Sequence, residues 1–180
     1  MQFIRQFFLN FRNRSLTKKP LPIARTNKNY TEAKQIGVLF CMPENAEHAA
    51  LNLLIQHLGT EGKQVQVLAF LPDQSHRNHY QFEFDFFTPK DISLTGEITA
   101  AEVQKFIATP FDYLFCVAPK PFGEVDNVLL QSKAKCRVGV YDAERTACYE
   151  LMISPLTNAP LTKVLDTMLR YTKNLTQSAK

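Results

Sequence analysis

Residues 36–71 read IGVLFCMPENAEHAALNLLIQHLGTEGKQVQVLAFL, and this stretch decides the fold. IGVLF (36–40) is a continuous apolar run of strand length. Leu51, Leu54, Ile55 and Leu58 then recur at helical spacing, and Gly59 and Gly62 supply an exit from the helix. QVQVLAFL (64–71) is the next strand, ended by Pro72. Two strands that are apolar on both faces, joined through a helix, lie parallel and need covering from both sides.

The alternation continues outward from this unit. YQFEFDFF (80–87) alternates strictly, with Phe82, Phe84 and Phe86 on one side and Glu83 and Asp85 on the other. That is a half-exposed strand at or near a sheet edge. Thr99 to Glu102 reads as a capping box, opening a short helix with Val103, Phe106 and Ile107 inward and stopped by Pro110. DYLFCVA (112–118) is a buried strand, Val125, Val128 and Leu129 mark a helix, and CRVGVY (136–141) and YELMIS (149–154) read as strands. Pro160 suits the first position of a closing helix, whose core face is Leu161, Val164, Leu165, Met168, Leu169 and Leu175. The expected fold is α/β: a three-layer, open, mainly parallel sheet, Rossmann-like and doubly wound. A chain of 180 residues suggests one such domain, expected over residues 31–180.

The chain opens differently, with MQFIRQFFLNFRNRSLTKK (1–19), both greasy and basic. Ile4, Phe7, Phe8 and Phe11 fall at i, i+3, i+4 and i+7, so they share one face of a helix, while Arg5 and Arg12 lie together on another. Residues 1–14 therefore read as a basic amphipathic helix, and residues 15–30, broken by Pro20 and Pro22, as a polar tether. Up to Thr31 the chain carries Arg5, Arg12, Arg14, Lys18, Lys19, Arg25 and Lys28 and no acid. The overall charge of +4 thus hides a slightly acidic domain bearing a basic arm. Such polarity suits an anionic partner: phospholipid, an acidic protein face or nucleic acid.

Several chemistries lack their signatures. Cys41, Cys116, Cys136 and Cys148 show no CxxC or Cys–His metal spacing, and are expected as reduced core thiols. His76 and His79 are three apart in a polar loop with no third ligand specified, so no metal is expected. The loop after IGVLF has neither the glycines of a dinucleotide fold nor a P-loop Gly-Lys-Ser/Thr. Asn45, Glu47 and His48 are explained there as helix capping and first-turn charge. No cofactor is expected. No apolar run approaches the ~20 residues of a membrane span, and Arg5 interrupts the opening run where a signal peptide needs continuity. An acid-free, Arg-bearing amphipathic opening also suits a mitochondrial presequence. In a parallel sheet, Glu44, Asp73, Lys120, Asp142, Glu144 and Arg145 follow strand ends and are weak candidates for acid–base chemistry at one rim.

Certain strings are similar to a known family: IGVLF, DFFTPKDISLTGEIT (85–99), PFDYLFCVA (110–118), SKAKCRVGVYD (132–142) and ELMIS (150–154). They resemble an uncharacterised family of small Bacteroidota proteins, a domain of unknown function, over about residues 30–175. The resemblance implies a bacterial cytoplasmic setting, sets the presequence aside, and carries over no catalytic residue. PFDYLFCV with SKAKCRVGVYD is also similar to a strand–helix–strand unit in the N-terminal domain of heptosyltransferase-type glycosyltransferases. The nucleotide-sugar-binding half of those enzymes has no counterpart here, so this similarity bears on fold.

The favoured function is therefore a non-catalytic binding or adaptor protein, cytoplasmic and peripheral at the inner membrane. It would dock on a membrane surface or acidic protein through Ile4, Phe7, Phe8 and Phe11, with Arg5, Arg12, Arg14, Lys18 and Lys19 supplying attraction. One alternative is that Ile4, Phe7, Phe8 and Phe11 pack onto the chain's own domain; a second is an RNA- or ribosome-associated protein using the same cations. Another is a glycosyltransferase-like enzyme acting on a small-molecule ligand at the strand-end rim, with Asp142, Glu144, Arg145, Lys120 and Glu44 as candidates.

Overall fold

The computed structural model describes residues 2–20, 22–26, 28–41, 45–72, 84–118, 120–154 and 159–175, with the side chains of residue 2 and residues 45–48 excepted. Six parallel strands form one sheet: β1 (Gln35–Cys41), β2 (Gln64–Phe70), β3 (Asp85–Phe87), β4 (Tyr113–Val117), β5 (Cys136–Val140) and β6 (Leu151–Ile153). Their order is β3-β2-β1-β4-β5-β6. The chain winds outward from β1 to one edge, then returns beside β1 and winds to the other. That is the doubly wound arrangement expected from the β-α-β alternation. The helices are α1 (Gln2–Lys18), α2 (Asn45–Thr60), α3 (Ala101–Ala108), α4 (Gly123–Gln131) and α5 (Leu161–Lys173).

Period-two alternation divides each strand between two cores. Ile36, Val38, Phe40, Tyr113 and Phe115 face one side, where Leu51, Leu54 and Leu58 of α2 and Leu165, Met168 and Leu169 of α5 cover them. Leu39, Cys41, Leu68, Leu114 and Cys116 face the other, under Val103, Phe106 and Ile107 of α3, Val125, Val128 and Leu129 of α4, and Leu9 of α1. The sheet is thus a middle layer. All four cysteines are buried, and burial pushes the Cys136 and Cys148 thiols up to about 12. The exit from α2 is built on Gly62, whose φ of 72° closes paired hydrogen bonds, Lys63 N–H to Leu58 O and Gly62 N–H to Gly59 O.

Several local expectations change. The 80–87 strand is described only from Phe84 and pairs over Asp85–Phe87, at the sheet edge as expected. The capping box sits elsewhere. α3 starts after Ala100, which makes no side-chain cap. Thr99 instead donates N–H and hydroxyl to Asp91 O, 3.0 and 3.3 Å away, beside the Ile92–Ile98 bridge. The reciprocal cap belongs to Thr88 and Asp91 around the short 3₁₀ turn Pro89–Asp91. Pro160 stands one position before α5, as its cap. The helix at the start of the chain continues past Arg14 to Lys18.

The connector after α1 lies against the N-terminal edge of the sheet. Thr26 N–H donates to Lys135 O (3.1 Å), and Arg25 Nη1 donates to the carbonyls of Ser132 and Ala134. Tyr113 hydroxyl donates to Lys28 O. Tyr30 is buried, and its hydroxyl donates to Glu61 Oε2 at 2.5 Å. Asp112, 4% exposed, gathers the same edge: it accepts from Lys34 N–H (2.8 Å), Gln35 N–H (3.1 Å) and Lys135 Nζ (2.8 Å). Burial alone would raise its pKa, but Lys135 and the two N–H groups hold it down to about 2. The arginine of the RVG segment, Arg137, is likewise structural: its Nε and Nη2 grip Glu150 at 3.0 and 2.6 Å.

Candidate functional site

The site begins with how α1 is seated. Its domain-facing stripe is Arg5, Gln6, Leu9, Arg12, Asn13 and Leu16, which the helical repeat places together. Leu9 is fully buried, and Leu16 packs against the same core. Around Leu9 the contact is polar and specific. Asn13 Nδ2 donates to Gly123 O at 2.8 Å, Asn127 Nδ2 to Asn13 Oδ1 at 2.7 Å, and Gln131 Nε2 to Asn127 Oδ1 at 2.6 Å. Asn127 is fully buried, so this amide chain satisfies groups that would otherwise be costly on α4.

On the other flank sits the turn 93–97. Gly96 has φ 75°, and a Cβ there would lie 2.5 Å from Leu9 N and 2.7 Å from Phe8 C. Only glycine both adopts that backbone and lets α1 come so close. Arg12 reaches Glu97 of this turn at 3.9 Å, an exposed pair. Arg5 Nε is buried and has no hydrogen-bond partner among the described residues.

With that stripe inward, the apolar stripe points out. Phe3 is 92% exposed, Phe7 and Phe11 67%, Ile4 53% and Phe8 43%. Phe7 and Phe8 meet edge to face, ring centroids 5.7 Å apart. Arg14, Lys18 and Lys19 are exposed beyond them. Each aromatic ring left in water forgoes roughly 1.5–3 kcal/mol of burial. A contiguous group of this kind, on a helix already seated by its other face, is the candidate for an interaction surface. Two members escaped the sequence reading. Phe3 is four before Phe7, a spacing that was there to be read. Leu94, half exposed, sits in the turn that abuts Phe8, and no sequence periodicity links it to α1.

Of the strand-end candidates, Lys120, Asp142, Glu144 and Arg145 are among the described residues. Arg145 is buried, and its Nε and Nη2 donate to Asp126 Oδ1 at 2.9 and 2.6 Å, with the guanidinium over the Tyr149 ring. Burial disfavours its charge, yet the Asp126 carboxylate holds it protonated, so its pKa lies above the ordinary value. Asp142 caps the 3₁₀ segment Ala143–Cys148 by accepting from Glu144 N–H at 2.9 Å. Glu144 is exposed, and Lys120 lies over the Phe122 ring at 5.4 Å. Glu44, Asp73, His76 and His79 lie outside the described residues, as do the side chains of Asn45, Glu47 and His48. Among the described residues no group of three His, Cys, Asp or Glu is placed to hold a metal, and no helix is long and apolar enough to cross a membrane.

No curated protein matches the chain. A family model does match, over residues 5–175, a span that starts inside α1 and takes in the connector and every strand. The chain therefore belongs to a family of unknown function (DUF6913).

Proposed function

We propose that this protein is a non-catalytic docking protein, whose binding face is the outer side of α1 and whose partner presents negative charge at the cytoplasmic face of the inner membrane. One observation carries the reading. A helix seated through an amide chain and one buried leucine turns Phe3, Ile4, Phe7, Phe8 and Phe11 outward, followed by Arg14, Lys18 and Lys19. Partial burial of those rings, worth up to roughly 1.5–3 kcal/mol each, would combine with about 1 kcal/mol for every cation near an anionic surface. The sum suits reversible attachment. The α/β body then acts as the rigid part that attachment positions.

The test follows from the seat of α1. Deleting the helix would strip Leu9 from the core, so the informative variant is the exposed pair Phe7→Ser with Phe11→Ser in the full chain. Cells making either protein are fractionated at low and high salt. Wild type is expected in the sedimenting fraction and the double variant in the supernatant. Equal partitioning would refute the docking face. Loss of attachment on Arg14→Glu with Lys18→Glu, but not on the phenylalanine changes, would turn the reading to RNA, where phosphate neutralisation dominates.

A further inference from the structure

We infer that the outer face of α1 enters an anionic lipid bilayer, with the N-terminal part of the helix deeper than its C-terminal part. The inference rests on the docking reading above and names its partner. Along the outward line of the helix, Phe3, Phe7 and Phe11 recur every four residues, flanked by Ile4 and Phe8. This ridge occupies the first half of α1, roughly 12 Å of axis at 1.5 Å per residue. Arg14 and Lys18 continue the same line through the second half, with Lys19 just after it. Hydrocarbon contact and phosphate contact are therefore separated along the helix instead of around it. A helix laid on a bilayer with that order tips its aromatic half inward and leaves its cations among the head groups.

Shape and charge both favour lipid over a protein groove. Five large side chains on one exposed helix edge, 43–92% in solvent, form a convex ridge. A fluid interface closes around a ridge without a matching cavity, whereas a protein must already carry the groove. A second copy of this chain is a poor occupant. α1 contains no carboxylate, and Glu97, the acid that reaches the helix, is engaged by Arg12. A parallel pair of such ridges would bring Arg14, Lys18 and Lys19 of both copies together, and an antiparallel pair would set them against phenylalanines, with no carboxylate on α1 to neutralise them in either case. The 93–97 turn, which carries the half-exposed Leu94, packs its Gly96 against the Phe8–Leu9 backbone, so α1 is fixed to the domain it would position.

The chain has no tryptophan, so a single one reports its own depth. Phe3→Trp, Phe11→Trp and, on α5, the exposed Tyr171→Trp are mixed with vesicles of equal parts phosphatidylglycerol and phosphatidylcholine, the latter brominated. Quenching is expected to be strongest at position 3, weaker at 11 and absent at 171. Wild type should sediment with these vesicles and far less with phosphatidylcholine alone. Arg14→Gln with Lys18→Gln should weaken binding about 25-fold, at about fivefold per cation. Unfolding midpoints confirm that each variant is folded. No binding to the anionic vesicles, or equal quenching at 3 and 11, would overturn the inference. If wild type ignores vesicles while Phe7→Ser with Phe11→Ser still abolishes sedimentation from cells, the partner is a protein, and only the lipid inference falls. If that double variant sediments like wild type, the docking reading itself falls.

Discussion

α1 and α5 are the first and last helices of the described chain, and they cover opposite faces of one sheet in opposite ways. α5 buries Leu165, Met168 and Leu169 and shows Lys163, Asp166, Arg170 and Lys173 to water. α1 buries Leu9 and shows five large apolar side chains. α5 lies directly on strands β5 and β6, so every apolar side chain it turns inward finds core. α1 lies mainly on α4, whose outer face offers buried amide groups in need of partners and room for one leucine. An apolar stripe turns inward where the surface beneath it is apolar. A helix docking as a further layer follows the hydrogen-bonding demands of the layer it meets.

The largest expected effect tests the seats of the two helices. Leu165→Ala in α5 should cost about 2–5 kcal/mol in urea unfolding, and Leu9→Ala in α1 a value in the lower part of that range, since each removes a buried side chain. A Leu9→Ala protein as stable as wild type would mean that α1 is not held as described.

Acid should separate the helices next. α1 is seated through neutral amides, whereas the end of α5 is tied by Lys173 Nζ to Glu61 at 2.5 Å. Burial works against the Glu61 charge, but Lys173 and Tyr30 hold its pKa below the ordinary value. Asp112 at the N-terminal end of β4 is held at about 2, against 3.8 ordinarily. Both are depressed in the folded state, so their stabilisation is present above the ordinary carboxylate range and fades as pH falls through the folded values. For Asp112 that is about 2 kcal/mol, lost between roughly pH 4 and 2. Amide exchange at falling pH should show the end of α5 and the start of β1 losing protection relative to the Leu9–Asn13 turn. Asp112→Asn should flatten the acid slope; an unchanged slope would remove Asp112 as its source.

The smallest effect is the one that isolates function. Phe7→Ser with Phe11→Ser should change stability by no more than about 0.5 kcal/mol per site, because both rings are already in water. A stability loss of core size would show that these rings pack on their own chain.

Much of this architecture was readable in advance because it rests on short-range pattern. Strand-length apolar runs separated by helical periodicity dictate parallel pairing, and Ile4, Phe7, Phe8 and Phe11 share a face at any helix orientation. Partnerships distant in sequence were not readable. Thr99 looked like a cap by spacing, but the 92–98 turn engages it first. Arg145 looked like a rim cation, yet Asp126, nineteen residues earlier in the chain, draws it inside. The connector looked free, and Arg25 and Lys28 meet carbonyls and a carboxylate more than eighty residues away.

The amino-acid sequence by itself determined the layers, the direction of the strands and the membership of the aromatic ridge, since each follows from local periodicity and from the handedness of crossovers. The tertiary structure alone decided the strand order, the seating of α1 by Leu9 and Asn13, and the side of that helix left facing water. Those outcomes depend on which buried donors and acceptors lie under the helix, a matter of partners brought together from far apart in the chain.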